Sequence, residues 1–433
     1  MKKVLIITYY WPPSGGAGVQ RWLKFVKYLR EFNWEPIVYT PEHPEIPVID
    51  ESLNKDVPND ITVLKTPIWE PYDFYKKIIG KDKNEKISAG FLSENKKPKL
   101  TEKISVWIRG NFFIPDARKF WINPSVSFLS DYIKKNEIDA IVSTGPPHSM
   151  HLIALKLKDK FNIPWVADFR DPWTNIDFYK DLMLTSFADR KHKRLEKKVL
   201  TTADAILTIG KTMKDEFVGL GAKNVVVLTN GFDEQDTSST LGIVKDEKFS
   251  LAHIGSFVKS RDPLFLWQVL SELVAEQTGF ADDLEIKLVG KVDFSVLENI
   301  KKYRLNSYVN KIDYLPHQEV IKEQQRSQVL LLLLNDTPNS KGILTGKFFE
   351  YLSAKRPILC IGPMNGDAAE ILNETKSGNI VEFEDKINLK KVILDYYRMY
   401  KNNGLEINSE NLESFSRRNI TGELSKLLNS LTN

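Results

Sequence analysis

Twice in this chain a short apolar strand runs into a glycine-bearing loop and then into a helix with one apolar face. The first unit is a strand at Val4–Thr8, a loop over Tyr9–Gly18 and a helix over Val19–Phe32. In that helix Val19, Trp22, Phe25, Val26 and Leu29 recur at helical spacing. The second unit is Phe249–Ile254, a loop over Gly255–Pro263 and a helix over Leu264–Glu276. A strand follows each helix, at Pro36–Thr40 and at Glu285–Val289. Repeated strand, loop, helix and strand is the pattern of a parallel sheet covered by its own crossover helices. The run Val329–Leu334 contains no polar residue, as a strand covered on both faces requires.

Length turns this pattern into two domains. Single cores stop growing near ~250–300 residues, and the chain has 433. The expected fold class is α/β, with two Rossmann-like doubly wound domains facing a cleft. The N-terminal domain is expected over 1–234, a polar Ser/Thr-rich linker over 235–248, and the C-terminal domain over 249–408. A helical tail over 409–433 is expected to pack back toward the N-terminal domain. A formal charge of +4 is small for this length and gives no reason to expect a nucleic-acid partner. The single cysteine, Cys360, lies in the apolar run Pro357–Ile361, so it reads as a packed, inert thiol. No paired Cys/His spacing suggests a metal. The opening Met1-Lys2-Lys3 leads into a strand rather than a secretory leader, and no apolar stretch approaches the ~18 residues of a membrane span. The expected location is cytoplasmic, with any membrane contact peripheral.

Ligands of open parallel sheets bind outside the carboxyl ends of the strands. The loop Pro12-Pro13-Ser14-Gly15-Gly16-Ala17-Gly18 offers close backbone approach and a helix N-terminus for anionic oxygens. Arg21 stands where a dinucleotide fingerprint would need its third glycine. Ser143–His151 opens a helix and carries two of the six histidines; His148 is a candidate donor toward a developing charge or a sugar hydroxyl, and His151 reads as structural. Asp168-Phe169-Arg170-Asp171-Pro172-Trp173 crowds two carboxylates, a guanidinium and an indole at a strand end. There Arg170 can hold a phosphate or pair with Asp168 or Asp171. Thr345-Gly346-Lys347 at a helix start can hold a diphosphate through N–H groups and an ammonium, and Glu350 one turn on can accept from a ribose. Arg261, after Gly255, is placed to pair with the same diphosphate.

Taken together these segments resemble family 4 of the GT-B glycosyltransferases, over nearly the full chain. The segment Trp165–Trp173 is similar to one found in bacterial cell-surface sugar transferases, Thr229–Asp233 to the family's domain end, and Phe349–Leu359 to its nucleotide-binding helix and following strand. The resemblance implies retaining, metal-independent transfer of a sugar from a nucleotide-sugar donor to a saccharide or lipid-linked acceptor, with no cofactor. Residue by residue, it matches Glu350 to the family's ribose-holding glutamate, Arg261 to its diphosphate-contacting basic residue, Gly15 and Gly16 to the loop facing donor phosphates and acceptor, and His148 to a histidine near the transferred sugar. With the readings above, the expected catalytic residues are His148, Asp168 and Arg261, and the expected donor-binding residues Gly15, Gly16, Gly255, Arg261, Gly346, Lys347 and Glu350. One departure is Gly342, which stands where the family's fuller motif has a second glutamate. Basic residues among aromatics at Trp107–Trp121, and the cluster Arg190–Arg194, suit an anionic membrane surface as well as a solvated helix face. Two other readings fit the same architecture: a sugar-nucleotide epimerase, and a non-catalytic nucleotide-sugar-binding subunit.

Overall fold

The computed structural model describes residues 1–46, 48–71, 100–238, 242–402 and 404–433. The expected acceptor-side stretch Pro41–Asn123 falls partly outside them. By contacts the chain forms two compact units, residues 1–229 with 417–433, and residues 230–416.

In unit 1 the strands are β1 (Lys2–Ile7), β2 (Trp34–Pro41), β3 (Thr62–Thr66), β4 (Ala140–Gly145), β5 (Trp165–Phe169), β6 (Ala205–Thr208) and β7 (Val225–Val227). They pair in the order β3-β2-β1-β4-β5-β6-β7, all parallel. Val4 of β1 faces Pro36 on one side and Ala140 on the other. Helices of eight or more residues are numbered: α1 (Ala17–Leu29), α2 (Leu100–Phe112), α3 (Ile122–Lys135), α4 (Ser149–Phe161), α5 (Ser186–Thr202) and α6 (Lys211–Gly219). The apolar stripe of α1 that the sequence shows is buried, Val19, Trp22, Leu23, Phe25, Val26 and Leu29 together.

Unit 2 repeats the plan with β8 (Phe249–Ile254), β9 (Leu284–Val289), β10 (Val309–Ile312), β11 (Val329–Leu333), β12 (Ile358–Ile361) and β13 (Gly378–Val381). The order is β10-β9-β8-β11-β12-β13, again parallel. Its helices are α7 (Leu264–Glu276), α8 (Phe294–Lys302), α9 (His317–Arg326), α10 (Gly346–Ser353), α11 (Asp367–Thr375) and α12 (Lys386–Lys401). Every residue of β11 is buried, which is why that run tolerates no polar side chain. The segment read as a linker is partly structured: Glu234–Ser238 is a short helix, and Asp246 makes a buried ion pair with Lys287 of β9, which also meets Glu323 of α9. Three charges sharing one site anchor that segment within unit 2 rather than leaving it free.

The last helix, α13 (Arg417–Thr432), belongs to unit 1. Its Ile420, Leu424 and Leu428 lie in the same apolar cluster as Val19, Trp22 and Leu29 of α1. Burying each such side chain contributes about 1.5–3 kcal/mol. Close approach needs a small residue, since a side-chain carbon on Gly422 would come within 3.1 Å of the Phe32 ring.

Candidate functional site

Strand order reverses between β8 and β11 in unit 2, so the loops after these strands flank the crevice where doubly wound sheets bind ligands. Gly255 follows β8 with φ 112° and Gly290 follows β9 with φ 103°. Both are left-handed positions that favour glycine. A Cβ on Gly255 would lie 3.1 Å from the Lys347 ammonium nitrogen, so a side chain there would push that nitrogen aside by a few tenths of an ångström. Lys347 sits in the first turn of α10, and its Nζ is 3.2 Å from Nε2 of the buried His253. Burial pulls the Lys347 pKa down to about 7; the Arg261 charge adds to this and Glu350 opposes it.

Three further contacts fix this arrangement. The Ile254 N–H donates to the Tyr351 hydroxyl (2.9 Å), locking α10 onto the end of β8. Arg261 Nε donates to Asn335 Oδ1 (2.6 Å), just beyond β11. Gln324 Nε2 of α9 donates to Glu350 Oε2 (3.1 Å). No side chain caps the first turn of α10, and Thr345 Oγ1 just before it is buried without a partner. An uncapped helix N-terminus beside an ammonium and a guanidinium has the electrostatics to hold an anion. Gly255, Arg261, Gly346, Lys347 and Glu350 are thus brought together. Sequence reasoning gave no role to His253, Asn335 or Gln324. The available signal for His253 was its place at a strand's carboxyl end, as one of six histidines.

Unit 1 has its switch point between β1 and β4, and there the expected roles shift. Asp168 is fully buried, and its two oxygens accept from Arg21 Nε (3.1 Å) and Nη2 (2.9 Å), Trp22 Nε1 (2.7 Å) and Thr144 Oγ1 (2.9 Å). Burial alone would raise its pKa, but the Arg21 charge and these hydrogen bonds outweigh burial and hold it below the usual carboxylate value. Arg21 also donates to the Leu228 and Thr229 carbonyls (2.8 and 2.7 Å). The carboxylate expected to be catalytic is therefore the hub of a buried ion pair, with its lone pairs occupied. Arg170 hydrogen-bonds to backbone carbonyls, and its charge partly offsets the rise in the Asp171 pKa that burial causes. It donates to the Gly18 carbonyl (2.8 Å) and to the Pro146 carbonyl, lacing the loops after β1 and β4 together.

His148 stacks on Trp173 with ring centres 4.5 Å apart. Its pKa lies well below the usual histidine value, chiefly through burial, with His151, His192 and Arg170 adding repulsion, so the ring is neutral. Its Nδ1 is buried without a partner, close to Gly145. His151 is bonded to Ser143 Oγ (2.8 Å) and stacked on Phe169, with its Nε2 buried against Gly145. The N-terminus of α4 is not an open anion site, because Asp116 accepts from Ser149 N–H and Oγ (2.9 and 2.8 Å). The Gly15 N–H is given to the Val48 carbonyl (2.9 Å), whereas Gly16, at φ 91°, is exposed.

Residues 90–236 match the family described as Glycosyltransferase Family 4. The fold is GT-B. The lipopolysaccharide outer core galactosyltransferase is 12% identical, with a TM-score of 0.58 and 99% of each chain covered. A structure described as trehalose-6-phosphate from E. coli bound with UDP-2-fluoro glucose is 10% identical, with a TM-score of 0.55, covering 99% of this chain and 96% of the other. A putative UDP-N-acetylglucosamine 2-epimerase from Listeria monocytogenes is 12% identical, with a TM-score of 0.51, covering 99% and 96%. No curated protein matches the chain. In this GT-B chain the open, positively lined helix N-terminus lies in unit 2. Among the described residues no group of three His, Cys, Asp or Glu is placed to hold a metal ion. Among them, too, no helix is long and apolar enough to cross a membrane.

Proposed function

We propose that this chain transfers a sugar from a nucleotide-sugar donor to a saccharide acceptor, holding the donor's diphosphate at the N-terminus of α10. The observation that carries the reading is the uncapped first turn of α10, with Lys347 against Gly255 and Arg261 beside it. Glu350, one turn further on, is the acceptor for a ribose, oriented by Gln324. In transfer, the bond from the sugar's anomeric carbon to the phosphate oxygen breaks while a bond to the acceptor oxygen forms. Lys347, Arg261 and the Gly346 and Lys347 N–H groups stabilise the negative charge on the leaving diphosphate, while the Phe348 N–H is held by the Thr345 carbonyl (3.1 Å). Asp168 is committed to Arg21, so we assign no nucleophile to it. The proposed course is same-face displacement with retention, in which the departing phosphate takes the acceptor's proton. His148 is assigned to a sugar hydroxyl.

Incubation with a panel of UDP-, GDP- and ADP-sugars and saccharide or lipid-linked acceptors tests this. The expected result is acceptor-dependent release of one nucleoside diphosphate, lost in Lys347→Ala and in Glu350→Ala. Interconversion of the sugar without nucleotide release would instead make the chain an epimerase, and binding without turnover a scaffold.

We also propose that unit 1 contacts an anionic membrane carrying a lipid-linked acceptor. Phe112 and Phe120 are 59% and 43% exposed, and the Lys119 ammonium lies over the Phe113 and Phe120 rings. Partial burial lowers the Lys119 pKa, and repulsion from Lys191 adds to it. An anionic surface would relieve that repulsion; vesicle flotation tests it.

A further inference from the structure

His253 is given no contact with the donor in the proposed function, yet it is the residue on which Lys347 rests. It is the penultimate residue of β8, 1% exposed, with the Phe257 ring centre 4.4 Å away. Its Nε2 faces Lys347 Nζ at 3.2 Å, and backbone groups of Ser256 and Leu331 lie close to the ring. We propose that His253 is a positioning residue: a buried, neutral acceptor that holds the Lys347 ammonium against Gly255 for the donor's phosphate and so sets the pH range of donor binding. The inference rests on the reading of Lys347 as a diphosphate contact.

Burial and then the charge of Lys347 keep the His253 ring neutral, with Arg261 contributing in the same sense. A neutral ring can present a bare Nε2, and an ammonium has three N–H groups to give. One directed at Nε2 leaves two for phosphate oxygens and removes the freedom of a four-carbon stem. The charged groups facing Lys347 are Arg261, which disfavours its proton, and Glu350, which favours it. With burial these place the lysine's titration near neutrality, so small changes in its surroundings move its charge across the working range. A bound phosphate raises that pKa by favouring the ammonium. Affinity for a diphosphate therefore falls as pH rises above about 7 and levels off above the bound-state pKa.

The test is calorimetric titration with whichever of UDP, GDP or ADP binds, from about pH 6 to pH 9. The variants are His253→Phe, His253→Gln and Lys347→Ala. A hydrogen bond to a charged group is worth enough that His253→Phe should bind about tenfold more weakly at low pH. Its affinity should also begin to fall at lower pH than in the unsubstituted protein. His253→Gln, which restores an acceptor oxygen, should recover most of both properties. Lys347→Ala should bind weakly with little pH dependence. If Lys347→Ala binds like the unsubstituted protein, the reading of Lys347 fails. If Lys347→Ala is weak while both His253 variants follow the unsubstituted protein at every pH, the role of His253 is overturned. Should His253→Phe not fold, His253→Met, which fills the space with a far weaker acceptor, takes its place.

Discussion

Replacing Asp168 with asparagine separates a structural carboxylate from a chemical one. The substitution keeps the shape and removes the charge. Oδ1 now serves Arg21, while Oδ2 serves Trp22 Nε1 at 2.7 Å and Thr144 Oγ1 at 2.9 Å. An asparagine can supply an oxygen at only one of these positions. If that oxygen faces Arg21, the amide N–H₂ confronts the indole N–H, which has no rotor to turn away. The guanidinium, 1% exposed, is left with the Leu228 and Thr229 carbonyls and no counter-charge. Breaking a buried pair from one side costs about 3–5 kcal/mol. At roughly 2–4 °C per kcal/mol for a unit of this size, the melting midpoint of unit 1 should fall by about 6–20 °C. Calorimetry gives the midpoint, and hydrogen exchange of the β4 and β5 amides assigns the loss to unit 1. Removing both partners, as Arg21→Met with Asp168→Leu, should recover much of the stability, because apolar replacement of a buried pair is often neutral. The acid dependence has a definite sign. The folded pKa lies below the unfolded value of about 3.9, so the contribution is complete above that value and is lost as pH falls through the lower folded one. An Asp168→Asn protein with ordinary midpoint and exchange but no turnover would refute this reasoning and return Asp168 to catalysis.

Two further outcomes follow from the geometry. The chain should float with vesicles rich in anionic lipid and not with zwitterionic ones, and Lys119→Glu with Lys191→Glu should weaken flotation markedly, since each basic residue at such a surface contributes about 1 kcal/mol. Flotation indifferent to lipid charge would remove the membrane reading. Gly255→Ala should reduce nucleoside diphosphate affinity about fivefold or more in a titration, because the methyl would stand 3.1 Å from Lys347 Nζ and crowd it, and strains a residue at φ 112° by about 1–2 kcal/mol; unchanged affinity would mean that the ammonium does not reach the ligand.

The two-sheet plan was legible because apolar runs and glycine loops are local signals, and the nearness of Gly255 to Arg261 and of Lys347 to Glu350 was legible because each pair lies on a single strand-end loop or helix start. Unit 1 was harder for a physical reason. The partner that neutralises Asp168 lies 147 residues earlier, on a helix whose own pattern advertises only its apolar stripe. Arg21 reads in sequence as a defect in a glycine fingerprint, and in the fold it is the cation that makes a buried Asp168 tolerable. Likewise Asp116 lies 33 residues before the helix end it caps, in a stretch without regular periodicity. Long-range polar pairing leaves no trace in spacing, so a carboxylate at a strand end looks the same whether it faces a substrate or a guanidinium.

The placement of α13 in unit 1 orders events during synthesis. All of unit 2 is translated between the first part of unit 1 and the helix that completes it. At about 5–20 residues per second, the surface of α1 that receives Ile420, Leu424 and Leu428 stays uncovered for roughly 10–40 s after its own sheet could form. During that interval unit 2 can reach its final form while the older part of the chain still presents a greasy seam to chaperones and to other nascent chains. A truncation before Arg417 would make that interval permanent, leaving an intact unit 2 attached to a half-closed unit 1.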